Sequence, residues 1–278
     1  MSDAWQSPSP RNDDGPGPGT ILRFGLRALP LLLYILPGLL LISVIRLLEK
    51  PLCGLRRPVS AYLQQGFCRF ALVVAGIPLR VTGRPMQGRG AFVANHSTWL
   101  DIFTLGAPVR LFFVAKSEVS AWPGIGPLAR ICGTIFVKRD RREARAQQQM
   151  MSDRFLAGQR LLFFPEGTST DGCRVLPFKS TLFSAFFTDE LYDVLEIQPV
   201  TVVYRAPEGE DAQFYGWWGD MAFGPSLIKV IGARRQGSVE VIYHEPLKVS
   251  DFADRKSLAR ACEEAVRGGM PWNWQVAD

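Results

Sequence analysis

Hydrophobic texture divides the chain into three stretches. Residues 1–20, "MSDAWQSPSPRNDDGPGPGT", mix Pro, Gly, Ser and charge. They offer too little apolar surface to bury a core, so a disordered tail is expected. The next stretch, "LRALPLLLYILPGLLLISVIRLL", carries no charge from Ala28 to Ile45. That length suffices for a bilayer-crossing helix, and no face of it is polar. It exceeds a signal-peptide core and lacks a small-residue cleavage site, so it is expected to be retained. Pro30 and Pro37 are expected to kink it, which also suits a helix lying partly in one leaflet. A further apolar run, "FCRFALVVAGIPL" (67–79), is too short to span alone and is expected at the interface or against the first. Residues 21–78 thus read as a hydrophobic, membrane-associated helical segment. Arg23 and Arg27 before the long run, and Arg46, Lys50, Arg56 and Arg57 after it, leave the positive-inside rule without a direction.

From residue 79 to 278 short β-branched or aromatic runs alternate with helix-compatible segments. The runs are "LRVTG", "AFVAN", "RLFFVAK", "TIFVKR", "RLLFFPEG", "IQPVTVVY" and "SVEVIYHE". Residues 139–158 are rich in helix formers and end at Gly158. "DFADRKSLARACEEAVRGG" places Phe252, Leu258, Cys262 and Ala265 or Val266 on one helical face, with Asp251 available as a cap. This alternation predicts a single α/β domain with a largely parallel or mixed central sheet flanked by helices. Pro199, inside an apolar run, predicts an edge strand or a bulge.

Charge and cysteine content narrow the chemistry. The formal net charge is +6, which points to an anionic partner: lipid headgroups, a phosphorylated substrate or nucleic acid. Five scattered cysteines form no C-x-x-C pair, and with two histidines they assemble no zinc site. There is no G-x-S-x-G elbow, Walker loop or dinucleotide glycine fingerprint.

Four polar stretches at predicted strand ends remain, where open α/β sheets place their sites. "NHSTWLD" puts His96 at a strand's carboxyl end and Asp101 in the first turn of the next helix, with Ser97 or Thr98 near the cap. A histidine there can bend back to the carboxylate, which would fix the ring tautomer and free the other nitrogen as a base. The same residues equally admit a capping Asp beside a solvated His. "GTIFVKRDRR" sets Arg139 at a strand end with Lys138, Arg141 and Arg142 around a helix start, against the dipole preference, which suits a bound anion or a solvated basic face. "LLFFPEGTSTDG" holds Glu166 in a turn between Pro165 and Gly167, and "LPFKSTLF" has Lys179 starting a helix. The aromatics of "FYGWWGDMAF" (214–223) read as packing or as an interface belt, and His244 as a strand histidine without a catalytic role.

In order and spacing these blocks resemble the membrane glycerolipid acyltransferases of the 1-acylglycerol-3-phosphate acyltransferase type. "NHSTWLD" resembles the family's His-x-x-x-x-Asp block, "GTIFVKR" its second, "FPEGTST" its Glu-Gly-Thr block and "IQPVTV" its apolar Pro block. The aromatic segment at 214–223 is similar to a bacterial subgroup that acylates lyso-ornithine lipid as well as, or instead of, lysophosphatidate. The resemblance implies His96 as general base, Asp101 as its orienting carboxylate, and Arg139 on an acceptor phosphate. It implies Glu166, Gly167, Thr168 and Lys179 on the acceptor side, and Pro199 as structural or lining the acyl region. It further implies direct transfer from an acyl carrier protein or CoA thioester to a lysolipid acceptor, with no metal or organic cofactor. The partner would be membrane rather than nucleic acid, and the location the cytoplasmic face of a bacterial inner membrane. The family's Glu-Gly-Thr-Arg block reads Glu-Gly-Thr-Ser here, and losing that cation at Ser169 implies weaker selection for a phosphomonoester. Two rival classes remain: a non-enzymatic basic membrane-binding module, and a thioesterase using water in place of the acceptor.

Overall fold

The computed structural model describes residues 5–8, 15–138, 140 and 142–271. An eight-stranded sheet lies between two helical layers. Its strands are β1 (Leu79–Thr82), β2 (Gly90–Ala94), β3 (Phe112–Lys116), β4 (Ile135–Val137), β5 (Leu161–Phe163), β6 (Glu196–Arg205), β7 (Ser238–Tyr243) and β8 (Leu247–Lys248). The order is β1-β7-β6-β2-β5-β3-β4, with β8 also on β6. β6, β2, β5, β3 and β4 run parallel, while β7 and β8 lie antiparallel to β6. All seven expected runs are strands, and the sheet is mixed.

Alternation along the strands feeds two cores. Phe92 and Ala94 of β2 and Val200, Val202 and Tyr204 of β6 face one side. There they meet α2 (Ser60–Ala75), α3 (Asp101–Gly106) and α6 (Phe223–Gly232). Ala91, Val93, Ile197 and Val203 face the other, against α5 (Ala144–Leu156) and α7 (Arg255–Gly269). A sheet covered on both faces needs apolar residues at odd and even positions alike, hence runs such as "AFVA" rather than strict alternation.

Pro199 lies within the sheet, third strand in, and not on an edge or bulge. β6 changes antiparallel neighbour there: β8 pairs Glu196 and Ile197, and β7 pairs Val200 onward. The gap requires no ladder donor from Pro199, whose carbonyl instead accepts the His244 N–H at 3.1 Å. The cap of α7 is Asp254 rather than Asp251; its carboxylate accepts the N–H groups of Lys256 and Ser257 in a capping box.

α1 (Pro18–Cys53) runs as one 36-residue helix through Pro30, Pro37 and Pro51, about 54 Å long, so the expected kinks do not interrupt it. Only Ile42 and Glu49 are buried along it. Leucines from Leu22 to Leu52 stand exposed along the faces turned away from α2 and α6, which water would not tolerate and a bilayer would. This helix associates the chain with membrane. Its N-terminal half is pinned to the domain: Arg23 and Arg27 donate to the carbonyls of Gly232 and Ile231 at 2.8 and 2.7 Å. These are terminal carbonyls of α6, where cations are favoured. Within residues 1–20, Trp5 packs on Trp218, and Pro18 already belongs to α1.

Candidate active site

The site begins where β2 ends, at Ala94. Asn95 acts as a strand residue with its side chain. Its amide donates to Val202 O at 2.9 Å and accepts from Val202 N at 2.8 Å, tying the end of β2 to β6. His96 emerges next, with Asp101 opening α3. Oδ2 of Asp101 lies 2.6 Å from His96 Nδ1 and accepts the N–H groups of Ser97 and Thr98 at 2.9 and 3.1 Å. No side chain caps α3; the expected roles are reversed, and Asp101 collects the amides of Ser97 and Thr98. An offset of five thus works because the chain folds back on its own first turn.

Asp101 is fully buried and accepts only, so Nδ1 carries the shared proton and Nε2 is the basic nitrogen. Nε2 has no hydrogen-bond partner among the described residues, and the His96 side chain is 21% exposed. The ring stacks on Phe164 with centroids 4.0 Å apart and planes 12° from parallel. On the far side the Tyr204 hydroxyl donates to Asp101 Oδ1 at 2.7 Å, and it lies 3.1 Å from Thr104 Oγ1. Burial and the neighbouring Asp101 charge raise the phenol well above its usual range, so it stays a donor.

A second carboxylate holds the backbone of the same residue. β5 ends at Phe163 and the chain turns through Gly167, whose φ of 71° favours glycine. Glu166 Oε1 accepts the His96 N–H at 2.7 Å, and Oε2 the Leu176 N–H at 2.9 Å. Burial pushes the Glu166 carboxyl up to about 8, against the pull of those two donors. The His96 carbonyl in turn accepts the N–H and hydroxyl of Thr170 at 2.9 and 3.2 Å. Trp217 N–H donates to Ser97 O at 2.9 Å, so the 214–223 segment walls the site, with Phe214, Tyr215 and Trp218 packed inside.

Gly167, Thr168 and Ser169 line this turn, half-buried. Lys179 is exposed in a loop, its N–H donating to Pro165 O at 2.9 Å; no helix starts there. Arg139 and Arg141 lie outside the described residues. Arg174 is buried against Asp171. His244 sits 2.8 Å from Thr201 Oγ1, with burial lowering its pKa. No group of three or more His, Cys, Asp or Glu among the described residues could hold a metal.

Sequence reading missed Asn95, Phe164, Thr170 and Tyr204. Tyr204 had a signal: it shares a strand face with Val200 and Val202, and a buried phenol needs a partner for its hydroxyl.

The arrangement is an imidazole held by a buried carboxylate at the carboxyl end of a sheet strand, and known proteins place the chain in a family. The Acyltransferase family model matches residues 79–204. The lyso-ornithine lipid O-acyltransferase of Rhodobacter capsulatus is 54% identical over 266 residues, 96% of each chain. A 1-acyl-sn-glycerol-3-phosphate acyltransferase of Neisseria gonorrhoeae is 38% identical over 201 residues, 71% of this chain and 76% of its own. The fold is shared with the crystal structure of the 1-acyl-sn-glycerophosphate acyltransferase PlsC from Thermotoga maritima. The TM-score is 0.56 at 22% identity, covering 87% of this chain and 95% of the other. The family and these relatives define an enzyme of acyl transfer, rather than a binding module or a thioesterase. The chain belongs to the acyltransferase family.

Proposed function

We propose that the enzyme transfers a fatty acyl group from an acyl carrier protein or CoA thioester to the free hydroxyl of a lysolipid in a bacterial inner membrane. Lyso-ornithine lipid is the acceptor the reading favours, with lysophosphatidate as a second. The single observation that carries this is the His96–Asp101 pair in a chain 54% identical, nearly end to end, to a lyso-ornithine lipid O-acyltransferase. His96 Nε2 takes the acceptor's hydroxyl proton as its oxygen attacks the thioester carbonyl. The C–O bond forms, the C–S bond breaks, and the imidazolium returns its proton to the departing thiolate. Asp101 steadies the imidazolium, and no acyl-enzyme intervenes. Metal and organic cofactors have no part in this scheme.

Glu166, Gly167 and Thr168 shape the acceptor side, Lys179 and Arg139 supply positive charge, and the domain works at the cytoplasmic face. Ser169, where a phosphate-binding arginine is expected, supports a headgroup other than a phosphomonoester.

The test is an acyl-transfer assay on membranes that offers lyso-ornithine lipid and lysophosphatidate side by side. The expected result is transfer to lyso-ornithine lipid, and strict dependence on a phosphomonoester overturns that choice of acceptor. His96→Ala should lower transfer by about a hundred- to ten-thousand-fold and leave membrane association intact. Substantial residual transfer would refute the base assignment.

A further inference from the structure

Beside His96 the chain buries an ion pair that the transfer chemistry does not use. Arg174 Nη2 lies 3.1 Å from Asp171 Oδ2 and Nε 3.3 Å from Oδ1, with side chains 7% and 0% exposed. Withdrawing two opposite charges from water is unfavourable enough that an apolar pair of similar volume often serves stability as well. The pair's retention so close to the base therefore asks for a use.

Its position is set by the loop that clamps His96. Thr170, the residue before Asp171, donates twice to the His96 carbonyl. Gly172, the residue after, has a φ of 80° and sits so close to Ser97 that an added Cβ would lie 3.5 Å from the serine's own. Ser97 Oγ is buried there without a hydrogen-bond partner among the described residues.

The other side of the pair is covered by the chain's own N-terminal segment. The Trp5 ring lies 5.1 Å from Arg174 Cζ and 6.4 Å from the Trp218 ring. Ser7 Oγ donates to Asp171 Oδ2 at 3.2 Å, alongside Gln213 Nε2 at 3.2 Å. The segment thus gives Asp171 a hydroxyl donor and Arg174 a π face. An ammonium would satisfy the first better, and a carboxylate the second.

An ornithine amide-linked through one amine keeps one carboxylate and one ammonium. A phosphomonoester carries negative charge alone, which Asp171 repels. We propose that Asp171 and Arg174 form the headgroup subsite for a zwitterionic acceptor, Arg174 taking the carboxylate and Asp171 the ammonium, and that Trp5–Ser7 occupies the subsite until the acceptor displaces it. The proposal rests on the lyso-ornithine reading and assigns that acceptor's selection to residues outside the four family blocks.

The test measures transfer by the full-length enzyme in membranes, with each acceptor varied separately. Asp171→Asn and Arg174→Lys should each raise KM for lyso-ornithine lipid about tenfold or more with little change in kcat, the loss of roughly one charge-assisted hydrogen bond. Trp5→Ala with Ser7→Ala should lower that KM. The swapped pair, Asp171→Arg with Arg174→Asp, restores the ion pair and should still show the raised KM. Recovery of the wild-type KM by the swap means that the pair serves packing only, and overturns the proposal. So does an unchanged KM in the single variants, or a KM that rises in the Trp5/Ser7 variant. Failure of the wild-type enzyme to use lyso-ornithine lipid at all is a different result: it removes the acceptor reading on which the subsite depends.

Discussion

Asp101 and Glu166 are both sealed from water, and each bonds to His96, but they hold different parts of it. Asp101 grips the ring: its Oδ2 meets Nδ1 at 2.6 Å, and all its other partners are donors from the same turn or from Tyr204. Glu166 grips the backbone: its Oε1 accepts the His96 N–H at 2.7 Å, and its other oxygen accepts the Leu176 N–H. The region around Asp101 therefore sets which nitrogen is basic. The region around Glu166 sets where that nitrogen stands. In the proposed mechanism the first is an electrostatic role that grows as the imidazolium forms, and the second a positional role that is complete before reaction. Burial also pushes the Glu166 carboxyl up to about 8 despite its two amide donors.

The sharpest break of this comparison is Asp101→Asn. The amide oxygen can still accept from Nδ1, and the Tyr204 hydroxyl can turn to accept from the new NH2, so the fold should survive. The change removes the negative charge opposite the imidazolium. Transfer should fall by about a hundred- to a thousand-fold in kcat, within the range a positioned base contributes, with KM for the acceptor little changed. A KM effect with kcat intact would move Asp101 from the ring's electrostatics to acceptor binding.

Glu166→Gln should act more weakly, and through position. Its NH2 would face one of two N–H donors, His96 or Leu176, where the carboxyl oxygen had accepted. A displaced His96 backbone moves the base by a fraction of an ångström, and a shift approaching 1 Å costs on the order of a hundredfold. The pH dependence of stability tests this carboxyl directly. A carboxyl whose folded pKa is raised favours the folded state most below its unfolded value. That contribution is lost as pH rises from about 4.5 to about 8. The stability of wild type relative to Glu166→Gln, read from thermal melts, should therefore be greatest at the acid end of that window and fall steadily towards pH 8. Parallel curves across the window would mean that Glu166 is ionised in the fold throughout.

Legibility in the sequence tracks the reach of each interaction. Seven strands were readable because β-branched runs and turn residues are local signals. His96 and Asp101 were readable because both partners fall within one turn of chain. Asn95 binding Val202, and Tyr204 binding Asp101, join residues more than a hundred positions apart, and the local pattern of neither segment reports the other. Pro199 misled for the same reason. A proline in an apolar run signals an edge, but here the missing donor falls where β8 gives way to β7, a junction only the assembled sheet reveals. Lys179 and the cap of α7 were displaced by local geometry within a few residues, the ordinary precision of end signals. Nothing local in sequence signals that the Asp171–Arg174 pair is buried, and only the docked Trp5 and the His96 loop show it enclosed.

Tyr204→Phe tests the ring side at its finest grain. It removes one donor to Asp101 Oδ1 and leaves the aromatic packing against Tyr215, whose ring centroid lies 5.4 Å away. The buried carboxylate then keeps His96, Ser97 and Thr98 on Oδ2 while Oδ1 loses its phenol, a fully buried group held neutral by its surroundings. A hydrogen bond to a charged group contributes about 1.5–3 kcal/mol. Part of that loss falls equally on ground and transition states, because Asp101 is charged in both. The part that appears in kcat should be about tenfold or less, with KM unchanged. Combining Tyr204→Phe with Asp101→Asn completes a double-mutant cycle. If Tyr204 works only through the Asp101 charge, the double variant should be no slower than Asp101→Asn alone, and full additivity would place the hydroxyl's contribution elsewhere in the site.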